Sequence, residues 1–95
     1  MATFIVRIEL HYATPSDYTE LHKSMEKSGF SRWIKADSGA YYRLPTAEYH
    51  IAGDYSASGV LSTAQRVANS TGKSNCVLVC LYTNATWSGL EKYQS

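Results

Sequence analysis

Hydrophobic and polar positions alternate along the first stretch of the chain. From Thr3 to Tyr12, Phe4, Val6, Ile8, Leu10 and Tyr12 share one parity, while Arg7, Glu9 and His11 share the other with Ile5. Period-two alternation predicts a strand with one apolar and one polar face. At Thr14-Pro15-Ser16-Asp17 the period changes. This is an N-cap, a proline suited to the first helical turn and an acid placed to close a capping box. Tyr18, Leu21 and Met25 follow at helical spacing, and Gly29 suits a left-handed helix end. Phe30 to Ala36 reads as a short strand, Asp37-Ser38-Gly39 as a turn, and Ala40 to Thr46 as the continuation of a long hairpin loop. Alternation returns from Glu48 to Tyr55, with Tyr49, Ile51, Gly53 and Tyr55 on one face and Glu48, His50, Ala52 and Asp54 on the other. Ser56 or Ser58 caps a second helix with the stripe Val60, Leu61, Ala64, Val67 and Ala68, stopped by Gly72. Asn75 to Thr83 is a last strand, apolar on both parities.

The predicted order is β-α-β-β-α-β, the split βαβ pattern of a ferredoxin-like α+β fold. Right-handed crossovers put both helices on one face of a four-stranded antiparallel sheet of order 4-1-3-2. The other face is then open, and function is expected there. Ninety-five residues fit one domain, 1–95. Residues 84–95 form a tail in which Trp87, Leu90 and Tyr93 are expected to reach a second subunit and cover the last strand, making a homodimer. The bland alternative is a tail folded back on its own sheet.

Composition narrows the function classes. Hydrophobic residues make up 44% and charged residues 18%, as in ordinary globular domains. Nine Lys and Arg against eight Asp and Glu exclude a polybasic nucleic-acid binder but leave room for a local basic patch. Eight of the twelve aromatic residues are tyrosines, which favour half-buried strands and contact surfaces. Cys76 and Cys80 are four apart on one strand, about 13 Å, too far for a disulfide with each other. No window is long and apolar enough to predict a membrane span, and a cytoplasmic location is expected.

On the open face the end of the first strand, His11, is expected near the start of the third, Glu48 and His50, with Arg7 nearer Asp54. Two histidines and a carboxylate would supply the acid, base and orienting group that metal-independent RNA cleavage needs. Arg7, Arg32 or Lys35 would stabilise the charged phosphorane. His22, on a helix elsewhere, is expected to tolerate change. Solvated cross-strand pairs are the competing reading of the same residues. His11, His50 and Glu48 are also ligand types, but no spacing signature backs a metal, and no cofactor is expected. Tyr41-Tyr42-Arg43 could stack and clamp single-stranded RNA bases, or simply be hairpin surface.

His11-Tyr12 at the end of the first strand, Phe30-Ser31, Ala36-Asp37, Arg43, Leu44-Pro45 and the Asn84 to Tyr93 tail carry a family resemblance. Over roughly residues 3 to 93 the chain resembles the GhoS-like antitoxin endoribonucleases of type V toxin–antitoxin systems. Those proteins have a ferredoxin-like fold similar to that of the small CRISPR-associated adaptation nucleases. The resemblance implies sequence-preferring cleavage of a single-stranded messenger RNA, that of a partner toxin, with no metal strictly required; no DNA or membrane partner is expected. The CRISPR-associated proteins end their first strand in an aspartate; His11 stands at that place here, so a paired-aspartate metal site is not carried over. The alternative to an enzyme is a non-catalytic ferredoxin-like module that dimerises and binds RNA or a protein, or a structural subunit of a larger assembly.

Overall fold

The computed structural model describes residues 1–93; the last two positions of the predicted tail, 94–95, lie outside the described residues. In chain order the elements are β1 (Ala2–Leu10), α1 (Pro15–Lys27), β2 (Trp33–Lys35), β3 (Tyr41–Arg43), β4 (Glu48–Gly53), α2 (Ala57–Asn69) and β5 (Asn75–Tyr82). The protein is α+β, with two helices and five strands among the described residues. No helix among the described residues is long and apolar enough to cross a membrane.

Local chemistry sets the helix ends. Thr14 Oγ1 accepts from the Asp17 N–H at 3.3 Å while Asp17 Oδ2 accepts from the Thr14 N–H at 2.9 Å, the predicted capping box. Hydrogen bonds to that carboxylate, foremost from the Thr14 backbone, hold the Asp17 pKa below its usual value. At the other end of α1, Gly29 sits at φ +97°, the Gly29 N–H donates to Glu26 O and the Phe30 N–H to Met25 O. That Schellman arrangement returns the chain so that Phe30 packs into the core with Met25. Of the two serines considered for α2, Ser56 is the cap, accepting from the Gly59 N–H at 3.1 Å. Leu61, placed on the α2 stripe by the sequence, is instead 37% exposed, and Val60, Ala64, Val67 and Ala68 make the buried face.

β1 is the centre of a three-stranded antiparallel sheet of order β4-β1-β5. Phe4, Val6, Ile8 and Leu10 all point to one side, where Tyr49 and Ile51 of β4, Leu21 and Met25 of α1 and the α2 stripe close over them. Each such side chain contributes about 1.5–3 kcal/mol through burial. Strand alternation then sends Thr3, Ile5, Arg7 and Glu9 to the opposite face. β1 ends at Leu10, short of the predicted Tyr12. Tyr12 turns the chain at φ +54° and is 98% exposed rather than on the core face.

The predicted four-stranded 4-1-3-2 sheet does not form. β2 joins β3 in a separate two-stranded sheet, with Trp33 opposite Arg43, Ile34 opposite Tyr42 and Lys35 opposite Tyr41. Only Ser31 bridges to β4, at His50. The cause is local. The Trp33 N–H donates to Ser31 Oγ at 3.0 Å, and the Glu48 N–H, which would face Trp33 across the next rung, donates to Pro45 O at 3.1 Å. Both groups are therefore used before a ladder with β4 can continue. Tyr41–Arg43, read from sequence as loop, is the second strand of this hairpin. Its β propensity is expressed once Asp37-Ser38-Gly39 brings it back against β2.

The tail also departs from the expected crossing to a second subunit. The Arg43 N–H donates to Glu91 O and the Tyr93 N–H to Tyr41 O, so the tail pairs with the outer edge of β3 in its own chain. Trp87 packs on Tyr42 with ring centroids 5.5 Å apart. Hairpin and tail together cover the Thr3–Ile5 end of the sheet face expected to be open, leaving the Arg7–Glu9 end exposed.

Candidate nucleic-acid interface

β2 and β3 are each three residues long, so alternation divides their side chains cleanly between two faces of the hairpin. Ile34 and Tyr42 face the sheet and the tail. Ile34 is buried, and Tyr42 is half-buried against Trp87. Trp33, Lys35, Tyr41 and Arg43 share the outer face. There the Arg43 guanidinium lies 4.8 Å from the centroid of the Trp33 ring, and Lys35 Nζ lies 5.9 Å from that of Tyr41. Tyr93 arrives from the tail and meets Trp33 edge to face at 5.0 Å. Ser31, Trp33, Tyr41 and Tyr93 line a shallow recess of about 270 Å³ between these rings.

The predicted RNA-binding set is therefore split. Lys35, Tyr41 and Arg43 come together; Tyr42 turns inward and supports the tail. Arg32 lies toward α1, where its charge and that of Arg43 act on His22. Among the described residues no ion pair engages Arg32, Lys35 or Arg43. Nε of Arg32 and Nε of Arg43 are both buried with no hydrogen-bond partner among the described residues. Trp33 and Tyr93 belong to the same face; sequence reasoning finds no role for Trp33 and expects Tyr93 at a dimer contact instead. Trp33 shares parity with Lys35, and a hairpin centred on Ser38 would have set it beside Arg43. Tyr93 carries no local signal, because its position depends on where the tail folds.

The predicted histidine pair does not assemble. β1 and β4 pair with Arg7 opposite Glu48 and Ile5 opposite His50. His11 is six residues along β1 from the position opposite His50, roughly 20 Å at strand rise. The two imidazoles cannot act on one reacting atom. Arg7 meets Glu48 at 3.9 Å, not Asp54, because Ala2 opposite Gly53 puts Asp54 beyond the start of β1. Arg7 is exposed and the contact is long, so this pair contributes little to stability.

Each histidine instead has a separate partner. His50 Nε2 lies 2.6 Å from the Tyr82 hydroxyl, which reaches diagonally across β1. Burial pushes the His50 pKa down and the Tyr82 pKa up, so at neutral pH a protonated phenol meets a neutral imidazole, and the imidazole tautomer sets which of them donates. Tyr82 also lines a cavity of about 450 Å³ with Thr3, Ile34, Lys35, Asp37 and Trp87. His22, expected to tolerate change, has Nδ1 2.7 Å from the hydroxyl of fully buried Tyr49. Its pKa is lowered by burial first, then by the Arg32 charge. Burial likewise raises the Tyr49 phenol far above its usual value.

These shifts predict a pH dependence. A histidine whose folded pKa lies below the ordinary value of 6.5 binds fewer protons folded than unfolded, so stability rises with pH through that window. The His22 and His50 contributions are full above pH 6.5 and are lost as pH falls through the folded values. Urea midpoints measured at pH 7.5, 6.0 and 5.0 should fall steadily, and fall less in a His22→Gln/His50→Gln variant. Equal losses in parent and variant would contradict the assignment. Asp17 interferes little, since a carboxyl with an ordinary value of 3.8 is still almost wholly ionised at pH 5.0 even unfolded.

In comparisons with known proteins, no family matches this chain and no curated protein is significantly similar to it.

Proposed function

We propose that the chain binds single-stranded RNA on the outer face of the β2–β3 hairpin. The observation that carries this reading is one small surface where three aromatic rings (Trp33, Tyr41, Tyr93) are interleaved with two cations that no ion pair among the described residues engages. Bases stack on such rings regardless of sequence, and the cations track the phosphates between them. In sequence, residues 30–46 hold three positive side chains against one carboxylate, Asp37, and two of the three, Lys35 and Arg43, stand on this face. The local patch exists within a chain of net charge +1.

Endonucleolytic cleavage is the second reading, favoured by the Tyr82–His50 hydrogen bond beside the cavity that Lys35 also lines. A strand leaving the aromatic face past Lys35 would enter that cavity. There the neutral imidazole, acting through the phenol, would accept a 2′-hydroxyl proton, and Lys35 would stabilise the developing phosphorane charge. This relocates the chemistry implied by the GhoS-like resemblance from His11 and His50 to His50, Tyr82 and Lys35. The ferredoxin-like assignment belongs to the same proposal. It is supported by the β5-β1-β4 order and the Ser31–His50 bridge, which sets the residues before β2 at the fourth place.

Purified protein incubated with an AU-rich single-stranded RNA in EDTA tests both readings. A gel shift with intact RNA supports binding alone. Cleavage that His50→Ala and Tyr82→Phe abolish without loss of the shift supports the nuclease. RNA that neither shifts nor is cut rejects both. The homodimer is retained on a different footing: β5 is an edge strand with Leu78 and Leu81 about 60% exposed, a surface suited to pairing with a second copy. A monomer mass by light scattering at micromolar concentration rejects it.

A further inference from the structure

At the end of the sheet left uncovered by the hairpin, three side chains of different ligand type converge. Glu9 and His11 are two apart and point to the same side of the chain, and Cys76 of β5 is the direct cross-strand partner of Glu9. Their ligand atoms all lie within 4.8 Å of one another. His11 Nε2 is 3.6 Å from Cys76 Sγ and 3.5 Å from Glu9 Oε1. A tetrahedral zinc centre, with Zn–S about 2.3 Å and Zn–N and Zn–O about 2.0–2.2 Å, has ligand-to-ligand edges of about 3.4–3.6 Å. The two measured edges already have that length.

The imidazole is also aimed. Its Nδ1 lies 3.1 Å from Ser74 Oγ, and the His11 backbone N–H donates to Ser74 O at 2.9 Å. Backbone and ring are thus both held by one residue, which leaves Nε2 directed at the thiol and the carboxylate. Such an outer contact on the second ring nitrogen is what orients metal-bound histidines. Two of the three ligands stand on paired strands and the third directly follows one, so the site rests on the stiffest part of the fold.

We propose that Glu9, His11 and Cys76 form a binding site for a borderline-soft divalent cation, zinc being the natural occupant. The thiolate argues against magnesium and calcium, which take oxygen ligands, and the His–Cys–carboxylate set suits zinc. Three protein ligands leave the fourth tetrahedral position to water. Glu9 and Cys76 are exposed, and a groove of about 310 Å³ bounded by Arg7, Glu9, Cys76 and Leu78 runs beside them, so that position is open to solvent. Binding deprotonates the Cys76 thiol and so releases a proton to the medium. The site is separate from the hairpin surface and stands or falls independently of the RNA reading.

Cobalt(II) titration of the full chain under anaerobic, reducing conditions tests the proposal. The parent should take up one cobalt per chain with a thiolate-to-metal charge-transfer absorption that zinc abolishes by displacement. Cys76→Ser should lose the absorption. His11→Gln should weaken binding by more than tenfold, and Ser74→Ala by about 10–100-fold through loss of ring orientation. Cys80→Ser, whose thiol lies opposite Ile5, should behave as the parent. Far-UV circular dichroism of each variant separates loss of ligand from loss of fold. A parent without the absorption overturns the site. So does an absorption that survives in a folded Cys76→Ser variant or disappears in a folded Cys80→Ser variant.

Discussion

Trp33→Ala is expected to weaken binding of single-stranded RNA about 5- to 150-fold, the loss of one stacked base at about 1–3 kcal/mol. Trp33 is the middle of the outer hairpin face: Arg43 covers it on one side and Tyr93 meets it in a T-shaped pair. Removing the indole takes away a stacking platform and the surface that holds the Arg43 guanidinium in place. Trp33→Phe keeps a π face and should retain most of the affinity. Lys35→Ala and Arg43→Ala act differently, because each removes a charge. Each should lower the slope of log K against log salt by about 0.7, the single-strand value per phosphate contact. Tyr12→Ala is the control, an almost fully exposed tyrosine outside the hairpin. Fluorescence anisotropy with a labelled RNA across a salt series separates the effects. Unchanged affinity in Trp33→Ala with weakened binding in the cation variants would reduce the surface to an electrostatic one. Parental binding in all three would exclude the hairpin as the interface.

Phe4→Ala should destabilise the fold by about 3–5 kcal/mol, the transfer loss plus the cavity left behind. Phe4 is 1% exposed on the central strand, with Ile51 opposite on β4 and Leu81 opposite on β5. Neighbours on β1 cannot move into the space without breaking register on both sides. A chain of 95 residues has a total stability of about 5–14 kcal/mol, so this one change removes a large part of it. The urea midpoint should drop sharply with an unchanged slope. Leu78→Ser, on the exposed edge strand, should shift it by less than about 0.5 kcal/mol. A loss below about 1 kcal/mol in Phe4→Ala would mean that the β1 core face is packed otherwise than described.

The stability of β1 and the position of the candidate interface are therefore set at different levels. Strand alternation from Phe4 to Leu10, the Thr14–Asp17 capping box and the turn at Gly29 depend on residues close in sequence. Those were legible in the chain, and so was the place of both helices over one sheet face. The two faces of β1 were legible for the same reason, since side-chain direction in a strand follows parity alone.

What required the tertiary structure was register and the path of irregular segments. The pairing of β1 with β4 is fixed by which buried side chains meet, Val6 with Tyr49 and Phe4 with Ile51. It carries His50 to Ile5 and leaves His11 beyond the end of β4. A shift of a few residues, invisible in alternation, decided that the two histidines do not meet. The departure of β2 goes with the Ser31 side chain taking the Trp33 N–H, a local hydrogen bond that periodicity does not record. The aromatic face and the Glu9–His11–Cys76 cluster are both products of distant segments meeting, the tail on the hairpin and β5 on β1. The sequence by itself determined which side chains could stack, carry charge or bind metal, because those properties are intrinsic to each residue. Only the folded chain decided which of them stand within reach of one another, because that depends on contacts between residues as far apart as His11 and Cys76.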